Sequence, residues 1–286
     1  MSQLTALQAR MHSLRDIADI LGAMKNLAQA EIVKLARFCT TQQDLFRTVE
    51  DAFLDFQQFY GEQAPVEAPD KSSLLVLMGS ERGFCGGFNY LIHERLKQEA
   101  ADKGVRLIVV GRRLAQRFAD DQRVVSTIRG ASNAEEVPQI ISLLAEELAR
   151  YPAPGWKIVH NSYGTGGLSP QVTAFSGAAA EDDAKSARRF EFPPLLNVPA
   201  EEARRQMAEQ YLLALFYGVF YLSLMAENQE RLRHMDGALN RLDDEQQQMR
   251  SRFNALRQES ITEELEVIQL NANDAAVSGP VAQRRR

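Results

Sequence analysis

The stretch LRHMDGALNRLDDEQQQMRSRFNAL, residues 232–256, has the apolar spacing of one helix of a coiled coil. Eight positions alternate in steps of three and four residues, and all but Gln246 are apolar: Leu232, Met235, Leu239, Leu242, Gln246, Met249, Phe253 and Leu256. Because positions at this spacing share one helical face, the pattern predicts a helix whose seam is buried against another helix.

The helix is expected to extend well beyond this stretch, since no proline occurs between Pro199 and Pro280. We predict a C-terminal coiled-coil helix over 203–271, roughly 100 Å long. Residues 272–286, which end in three arginines, are predicted to be a disordered tail. The uncharged segment Gln210–Ala226 is too short and too polar for a membrane span, and is interpreted as part of the helix buried by a globular domain.

The N-terminal segment 1–60 predicts the partner helix. Leu4, Leu7, Met11 and Leu14 mark one face, and the stripe is expected to shift to Ile17, Leu21, Met24 and Leu27. A helix of roughly 100 Å overhangs a domain of about 130 residues, so its stripe needs a second helix to cover it. We therefore pair the two helices as an antiparallel coiled coil, with 61–70 as a linker.

The middle segment, 71–200, reads as an α/β domain. Short apolar runs ending in glycine predict strands, and helical patterns lie between them. The predicted strands are 72–79, 105–111, 155–163 and an edge strand at 172–177; the predicted helices are 88–104, 112–120 and 134–150. The fold class is α/β, with a Rossmann-like domain inserted between the two coiled-coil helices and a polar connection at 178–200.

Composition excludes several classes of protein. The net charge of −5 disfavours general nucleic-acid binding. Cys39 and Cys85 are the only cysteines and the four histidines are scattered, so neither a disulfide scaffold nor a metal site is expected, and no cofactor is predicted. Charges near the N-terminus argue against a secretion signal or transit peptide.

MGSERGFCGGFN, residues 78–89, follows a strand and precedes a helix, where a phosphate-binding loop would lie. It contains neither GxGxxG nor a Gly-Lys-Ser/Thr sequence, so a tight turn of small residues is the simpler interpretation. A nucleotide-binding enzyme using the Gly79–Asn89 loop remains one alternative. Cys85 is a candidate nucleophile, but no His–acid pair can be assigned to it.

Three segments resemble the gamma subunit of the rotary F-type ATP synthases. DILGAMKNLAQAE (19–31) resembles the family's segment centred on Ala-Met-Lys, here Ala23, Met24 and Lys25. SERGFCGGFN (80–89) is similar to the family's Asp-Arg-Gly-Leu-Cys-Gly-Gly-Leu-Asn loop, matching at Arg82, Gly83, Cys85, Gly86, Gly87 and Asn89. ALRQESITEELEVI (255–268) resembles Arg-Gln-x-x-Ile-Thr-x-Glu-Leu, matching at Arg257, Gln258, Ile261, Thr262, Glu264 and Leu265.

The resemblance implies a non-catalytic rotor shaft. One copy of the chain would turn inside three alpha and three beta subunits, couple ion transport to ATP synthesis on the beta subunits, and contact the epsilon subunit and the membrane c-ring at its foot. Arg257, Gln258 and Thr262 would contact the catch region of the catalytic subunits, and Met24 and Lys25 a beta lever segment. The loop at 80–89 would be structural. The implied location is peripheral, on the cytoplasmic face of a bacterial inner membrane.

Other interpretations of the same residues remain open. Lys25 and Arg257 also fit a solvated helix face, and Met24 also fits the seam. Asp19 reverses the charge usual for the family and indicates a divergent complex, with sodium coupling as one form. A coiled-coil adaptor that does not rotate shares every compositional feature with the shaft.

Overall fold

The structure is a computed structural model that describes residues 2–60, 74–99, 104–153, 155–175 and 191–277. Within these ranges the chain forms five α-helices and five β-strands, with single 3₁₀ turns after α3 and before α4. The helices are α1 (Ser2–Tyr60), α2 (Phe88–Glu99), α3 (Arg112–Ala115), α4 (Val137–Arg150) and α5 (Ala200–Val277). The strands are β1 (Leu74–Met78), β2 (Arg106–Val110), β3 (Val124–Ile128), β4 (Trp156–Gly164) and β5 (Gly167–Phe175).

The chain divides into two compact units, and each unit contains part of α1 and part of α5. One is the α/β unit, Lys25–His234, and the other is the helix-pair unit, Met1–Met24 with Met235–Arg286. The α/β unit contains one sheet of order β3-β2-β1-β4-β5. The first four strands are parallel, and β5 pairs antiparallel with β4 through a tight hairpin. The predicted Rossmann-like α/β class is therefore confirmed.

The sheet of the α/β unit is covered on both faces. Successive residues of β1 point to opposite faces, and all five are buried. Leu74, Val76 and Met78 join a core cluster with α1, α4 and α5, whereas Leu75 and Leu77 join a second cluster with α2 and α3. The sheet is the middle of three layers, and its carboxyl edge carries the loop that follows β1.

The uncharged segment Gln210–Ala226 packs inside the α/β unit, as predicted. Phe216 stacks on Trp156 with ring centroids 5.3 Å apart, and Leu215, Val219 and Leu224 belong to the same core cluster. Within the described residues, only the helix at Ala200–Gln269 is long and apolar enough to pass a test for membrane spans, and 44% of its most apolar window is buried. Packing against the sheet explains why this helix is apolar.

The helix-pair unit is the predicted coiled coil. Arg10 Nη2 contacts Glu245 Oε1 at 2.9 Å, joining α1 to α5. All eight seam positions of 232–256 are buried or half-buried, and they include Met235, which is fully buried. On the part of α1 in this unit, the seam positions Leu4, Leu7, Met11, Leu14, Ala18 and Leu21 are all buried or half-buried. Both seams keep the alternating three- and four-residue spacing of a coiled coil.

The predicted shift of the α1 stripe is wrong. Ile17 is 46% exposed and Leu27 is 66% exposed, whereas the unshifted spacing runs through Ala18 and on to Ala28, which is 3% exposed. The sequence interpretation followed the larger apolar residues. The structure instead places small alanines on the covered face, where a short side chain allows close approach of a neighbouring element.

Other boundaries differ from the prediction in smaller ways. Residues 124–128, for which no strand was predicted, form β3 beside β2. Helix α5 continues to Val277, six residues beyond the predicted end at 271. The predicted linker at 61–70, most of the connection at 178–200 and the last residues of the tail, 278–286, lie outside the described residues.

Candidate functional site

Helix α5 extends beyond the start of its partner helix. Arg10 of α1 lies beside Glu245 of α5, and α1 has only eight more residues before its first described residue, Ser2. In an antiparallel pair, eight residues forward along α5 from Glu245 reach position 253. From about residue 256 onward, α5 therefore has no α1 backbone beside it within the described part of the chain.

This unpartnered end carries an exposed apolar face. Ile261, Leu265 and Ile268 are 48%, 55% and 62% exposed, and at 100° per residue they fall within one narrow sector of the helix. Every residue from 261 to 269 is exposed. Scattered apolar residues on a surface are ordinary, but a contiguous face on a helix that lacks a neighbour is typical of an interaction surface.

The predicted contact residues of this segment lie beside that apolar face. Arg257 and Gln258 are exposed and flank the sector occupied by Ile261 and Leu265. Thr262 is also exposed, and its hydroxyl donates to the Gln258 carbonyl at 2.9 Å. The helix end therefore presents an apolar stripe bordered by a guanidinium and an amide, both suited to partner carboxylates and carbonyls.

Met24 and Lys25 lie on different faces of α1. Lys25 occupies the seam spacing that links Leu21 to Ala28, so its aliphatic stem follows the covered face, and it interacts with other groups of the chain. Met24 lies off the seam, in the sector of the exposed residues Ile17 and Ile20, although its own side chain is half-buried. The structure thus does not bring Met24 into the seam, and it does not leave Lys25 on an open face.

The loop after β1 holds its shape through its own side chains. The backbone N–H of Ser80 donates to Asn89 Oδ1 at 2.9 Å, and Asn89 Nδ2 donates to Ser80 Oγ at 2.8 Å. Cys85 Sγ also donates to Ser80 Oγ, at 3.2 Å. Burial raises the pKa of the Cys85 thiol, so it is a poor thiolate nucleophile at neutral pH. These contacts fit the predicted structural role of the loop.

The remaining motif residues of the loop lie at its surface or against α5. Arg82 and Gly87 are exposed, and Gly83 lies next to the side chain of Arg113. Gly86 has a φ of 51°. A Cβ at Gly86 would lie 2.5 Å from Glu230 Oε1 on α5. A side chain at this position would therefore have to displace the Glu230 carboxylate, and its backbone would be strained at this positive φ.

Glu81 fills the place where an anion would bind at the carboxyl edge of the sheet. Its carboxylate accepts the backbone N–H of Gly130 at 2.8 Å and that of Arg112 at 3.0 Å, and it pairs with the Arg112 guanidinium at 2.6 Å. Burial alone would raise the pKa of Glu81, but these hydrogen bonds and the positive charge outweigh burial and lower it. The N–H groups that could cradle a phosphate are occupied by a side chain of the protein itself, which argues against the nucleotide-binding alternative.

Sequence reasoning missed the buried polar residues that join the loop to α5. Glu227 and Arg231 have side chains that are 6% and 5% exposed, and they form an ion pair. Burial raises the pKa of Glu227, whereas the charge and hydrogen bond of Arg231, and after them the nearby backbone N–H groups of Arg82 and Glu81, act in the opposite direction. The sequence carried a signal for this pair, because it continues at helical spacing the buried face of Phe220 and Leu224.

The comparisons with known proteins cover nearly the whole chain. A family model described as ATP synthase matches residues 3–273. The chain is 24% identical to the ATP synthase gamma chain of Nautilia profundicola, over 93% of this chain and 96% of the relative. It is 25% identical to the ATP synthase gamma chain of Lachnoclostridium phytofermentans, over 96% of this chain and 99% of the relative.

Two solved structures have the same fold. A chain of the Euglena gracilis mitochondrial ATP synthase (OSCP/F1/c-ring, rotational state 3) matches with a TM-score of 0.66 at 16% identity, over 100% of this chain and 99% of that one. A chain of the Tetrahymena thermophila mitochondrial ATP synthase central stalk and c-ring matches with a TM-score of 0.62 at 19% identity, over 77% of this chain and 99% of that one.

Proposed function

The chain belongs to the gamma-chain family of ATP synthases, and from that premise we propose that it is the central rotor shaft of an F-type ATP synthase. It is a non-catalytic subunit that couples rotation to ATP synthesis or hydrolysis on the beta subunits. Its own described structure is consistent with this role, because the Glu81 carboxylate occupies the sheet-edge amides that could otherwise bind a phosphate.

The observation that carries the proposal is the unpartnered end of α5. Ile261, Leu265 and Ile268 are about half exposed on a helix that no other described part of the chain covers. A subunit that turns inside a ring needs an apolar surface that can bind and slide, together with a few polar groups that distinguish one angular position from another. Arg257 and Gln258 supply such polar groups beside the apolar stripe.

The proposed mechanism is thermodynamic linkage. A helix end with one apolar face and one guanidinium is asymmetric, so it makes different contacts with each of three otherwise equivalent catalytic subunits. A contact difference of about 1.4 kcal/mol changes nucleotide affinity about tenfold. By reciprocity, nucleotide binding and release on the beta subunits bias the angle of the shaft.

The proposal also includes the remaining partners and the location. Three alpha and three beta subunits surround the helices of a single copy of this chain, with Thr262 joining Arg257 and Gln258 at the catch region. Met24 and Lys25 lie near a beta lever segment. The α/β unit forms the foot, next to the epsilon subunit and the c-ring, on the cytoplasmic face of a bacterial inner membrane. The family supports this arrangement by analogy.

The test is assembly and turnover with the alpha and beta subunits of the same organism. Co-expression followed by size-exclusion chromatography is expected to give one copy of the chain with three alpha and three beta subunits. The variant Arg257→Ala/Gln258→Ala is expected to lower the ATP hydrolysis rate of the assembled complex by about tenfold or more, since it removes at least one charge-assisted hydrogen bond.

The chain offers a matched control. Arg205 and Gln206 form the same Arg-Gln dipeptide, exposed on the part of α5 that belongs to the α/β unit. Their contacts to Glu202 and Glu209 are surface pairs of little energetic weight, so Arg205→Ala/Gln206→Ala is expected to hydrolyse ATP at the normal rate. A chain that elutes alone and leaves the activity of the ring unchanged would contradict the shaft role and favour the non-rotating adaptor.

A further inference from the structure

A buried network of polar side chains lies on one face of α5, inside the α/β unit. Measured over the whole residue, backbone included, Glu227, Asn228, Glu230 and Arg231 are each less than 5% exposed. Arg231 Nη2 donates to the Glu227 carboxylate, and its Nη1 donates to Asn228 Oδ1 at 2.7 Å. Four buried polar residues within five positions are unusual on a helix that otherwise packs apolar residues against a sheet.

The network is bonded to the backbone of the loop after β1. Arg231 Nε donates to the Gly83 carbonyl at 3.3 Å. The backbone N–H groups of Arg82 and Glu81 lie close enough to the Glu227 carboxylate to act on it electrostatically, and they lower its pKa against the effect of burial. The carboxylate and the guanidinium therefore face three successive residues of one loop, and the hydrogen bond to Gly83 depends on the orientation of the helix.

The same loop is bonded on its other side to the body of the α/β unit. The Glu81 carboxylate accepts the N–H groups of Gly130, after β3, and Arg112, at the start of α3. Ser80 is tied to Asn89 at the start of α2. The loop is thus a single rigid link, with α5 on one side and the strands and helices of the sheet on the other.

Stability alone does not account for this arrangement. A buried ion pair loses so much hydration that well-packed apolar residues of similar volume are often as stabilising or more so. What this arrangement supplies is registry: the pair itself lies within α5, but its guanidinium reaches the Gly83 carbonyl in only one relative position of helix and loop. The apolar contacts of α5 with the sheet, through residues such as Leu215 and Val219, have a non-directional driving force and resist twisting only through the shape of the packed side chains.

We propose that the Glu227–Arg231 pair is a torsional lock, which fixes the angle between α5 and the α/β unit so that torque passes from one to the other without slip. The inference rests on the proposed shaft function and adds to it the residues through which torque crosses. Torque applied along α5 must leave the helix through contacts that resist twisting. Glu227 holds the Arg231 guanidinium in place, and Arg231 makes the directional hydrogen bond to the Gly83 carbonyl of the loop.

The principal variant replaces the pair by apolar residues of similar size, Glu227→Leu/Arg231→Met. It is assembled with the alpha and beta subunits, the ring is fixed to a surface, and a bead is attached to the α/β unit through Arg117→Cys. The measured quantities are the ATP hydrolysis rate in solution and the angular variance of the bead during the pauses between steps. We expect the variance to at least double while the hydrolysis rate stays within twofold of normal.

A second variant and a matched control sharpen the test. Arg231→Lys keeps the charge, but a single ammonium cannot reproduce the fork that reaches Glu227, Asn228 and Gly83, so the variance is again expected to rise. The control, Lys34→Gln/Glu135→Gln, removes an exposed ion pair that joins the other long helix, α1, to the segment before α4. It is expected to leave the variance unchanged.

Three results would overturn the proposal. The first is normal bead variance in an assembled complex of either variant. The second is an increase of the same size in the control. The third is failure of both variants to fold, because the pair would then be a requirement for folding rather than a lock. Failure of the unsubstituted chain to assemble or rotate would instead contradict the shaft function itself, so the two failures are distinguishable.

Discussion

The unpartnered apolar face of α5 gives a quantitative prediction for assembly. The triple variant Ile261→Gln, Leu265→Gln and Ile268→Gln replaces the face with polar residues, and glutamine is a good helix former, so α5 is expected to keep its helical structure. These side chains lie beyond the start of α1, and therefore the substitution removes no seam contact of the helix pair.

The expected loss of affinity follows from the exposed fractions. The three side chains are 48%, 55% and 62% exposed, so about half of each remains available for burial in a complex. Complete burial of such a side chain contributes about 2 kcal/mol, so the exposed halves contribute about 1 kcal/mol each, or about 3 kcal/mol together. At about 1.4 kcal/mol per factor of ten, the variant is expected to bind the alpha–beta ring about 100-fold more weakly.

The assay is a titration of the labelled chain into the purified ring of alpha and beta subunits, followed by fluorescence anisotropy. Thermal unfolding of the chain alone is measured in parallel, and the variant is expected to unfold at the normal temperature because the substituted residues are not packed within the chain. An affinity loss below threefold would refute the reasoning. So would a large fall in unfolding temperature, because it would mean that the chain itself covers this face.

The control for this experiment uses apolar residues that are exposed elsewhere. Phe192 and Leu195 are 75% and 99% exposed in the segment just before α5. If loss of exposed apolar area in general weakened binding, Phe192→Gln/Leu195→Gln would weaken it too. We expect this variant to bind the ring with normal affinity.

Two further predictions concern the α/β unit. Burial lowers the pKa of His160 from 6.5 to about 4. Between those pH values His160 is protonated in the unfolded chain and neutral in the folded chain. The free energy of unfolding therefore keeps its full value above pH 6.5 and falls by about 1.4 kcal/mol per pH unit below it. Between pH 7.5 and 5 the free energy of unfolding of the unsubstituted chain is expected to fall by about 2 kcal/mol more than that of His160→Gln. The measurement is a denaturant titration followed by Trp156 fluorescence, and equal falls in the two proteins would contradict the prediction. A Cβ at Gly79 would lie 2.1 Å from Leu114 Cβ, so Gly79→Ala is expected to lower the free energy of unfolding by at least about 2 kcal/mol in the same titration. Gly164 has open space around it, so Gly164→Ala is expected to lower it little. Similar losses in the two variants would refute the steric argument.

Much of the fold could be predicted from local patterns. The seam from Leu232 to Leu256 could be predicted because all but one of its positions are apolar at a regular spacing. The strands around Val76 and Ile108 could be predicted because both faces are buried, which gives a continuous apolar run, and because each run ends in glycine. Strand β3 escaped prediction because its residues 124–128 are mostly half-buried, with neither a clean alternation nor a continuous apolar run. An edge position imposes a weaker pattern on a strand than a central one.

The candidate site could be predicted only in part. Arg257, Gln258 and Thr262 were found by resemblance, and the structure places all three at the exposed end of α5. The buried pair of Glu227 and Arg231 was missed, because in sequence a charged pair four residues apart is most simply a solvated helix surface. The pair is buried only because the loop after β1 packs on that side of the helix.

The sequence by itself determined the two long helices, the α/β layering and the family motifs, because helical periodicity and strand burial are local properties of the chain. The tertiary structure decided which side of each helix is covered. Ala18 and Ala28, rather than Ile17 and Leu27, lie on the covered side of α1, since the packing of a helix face depends on how closely its neighbour can approach. The tertiary structure also decided where α5 loses its partner, because the register set by Arg10 and Glu245 is a relation between two segments 235 residues apart, which no local pattern contains.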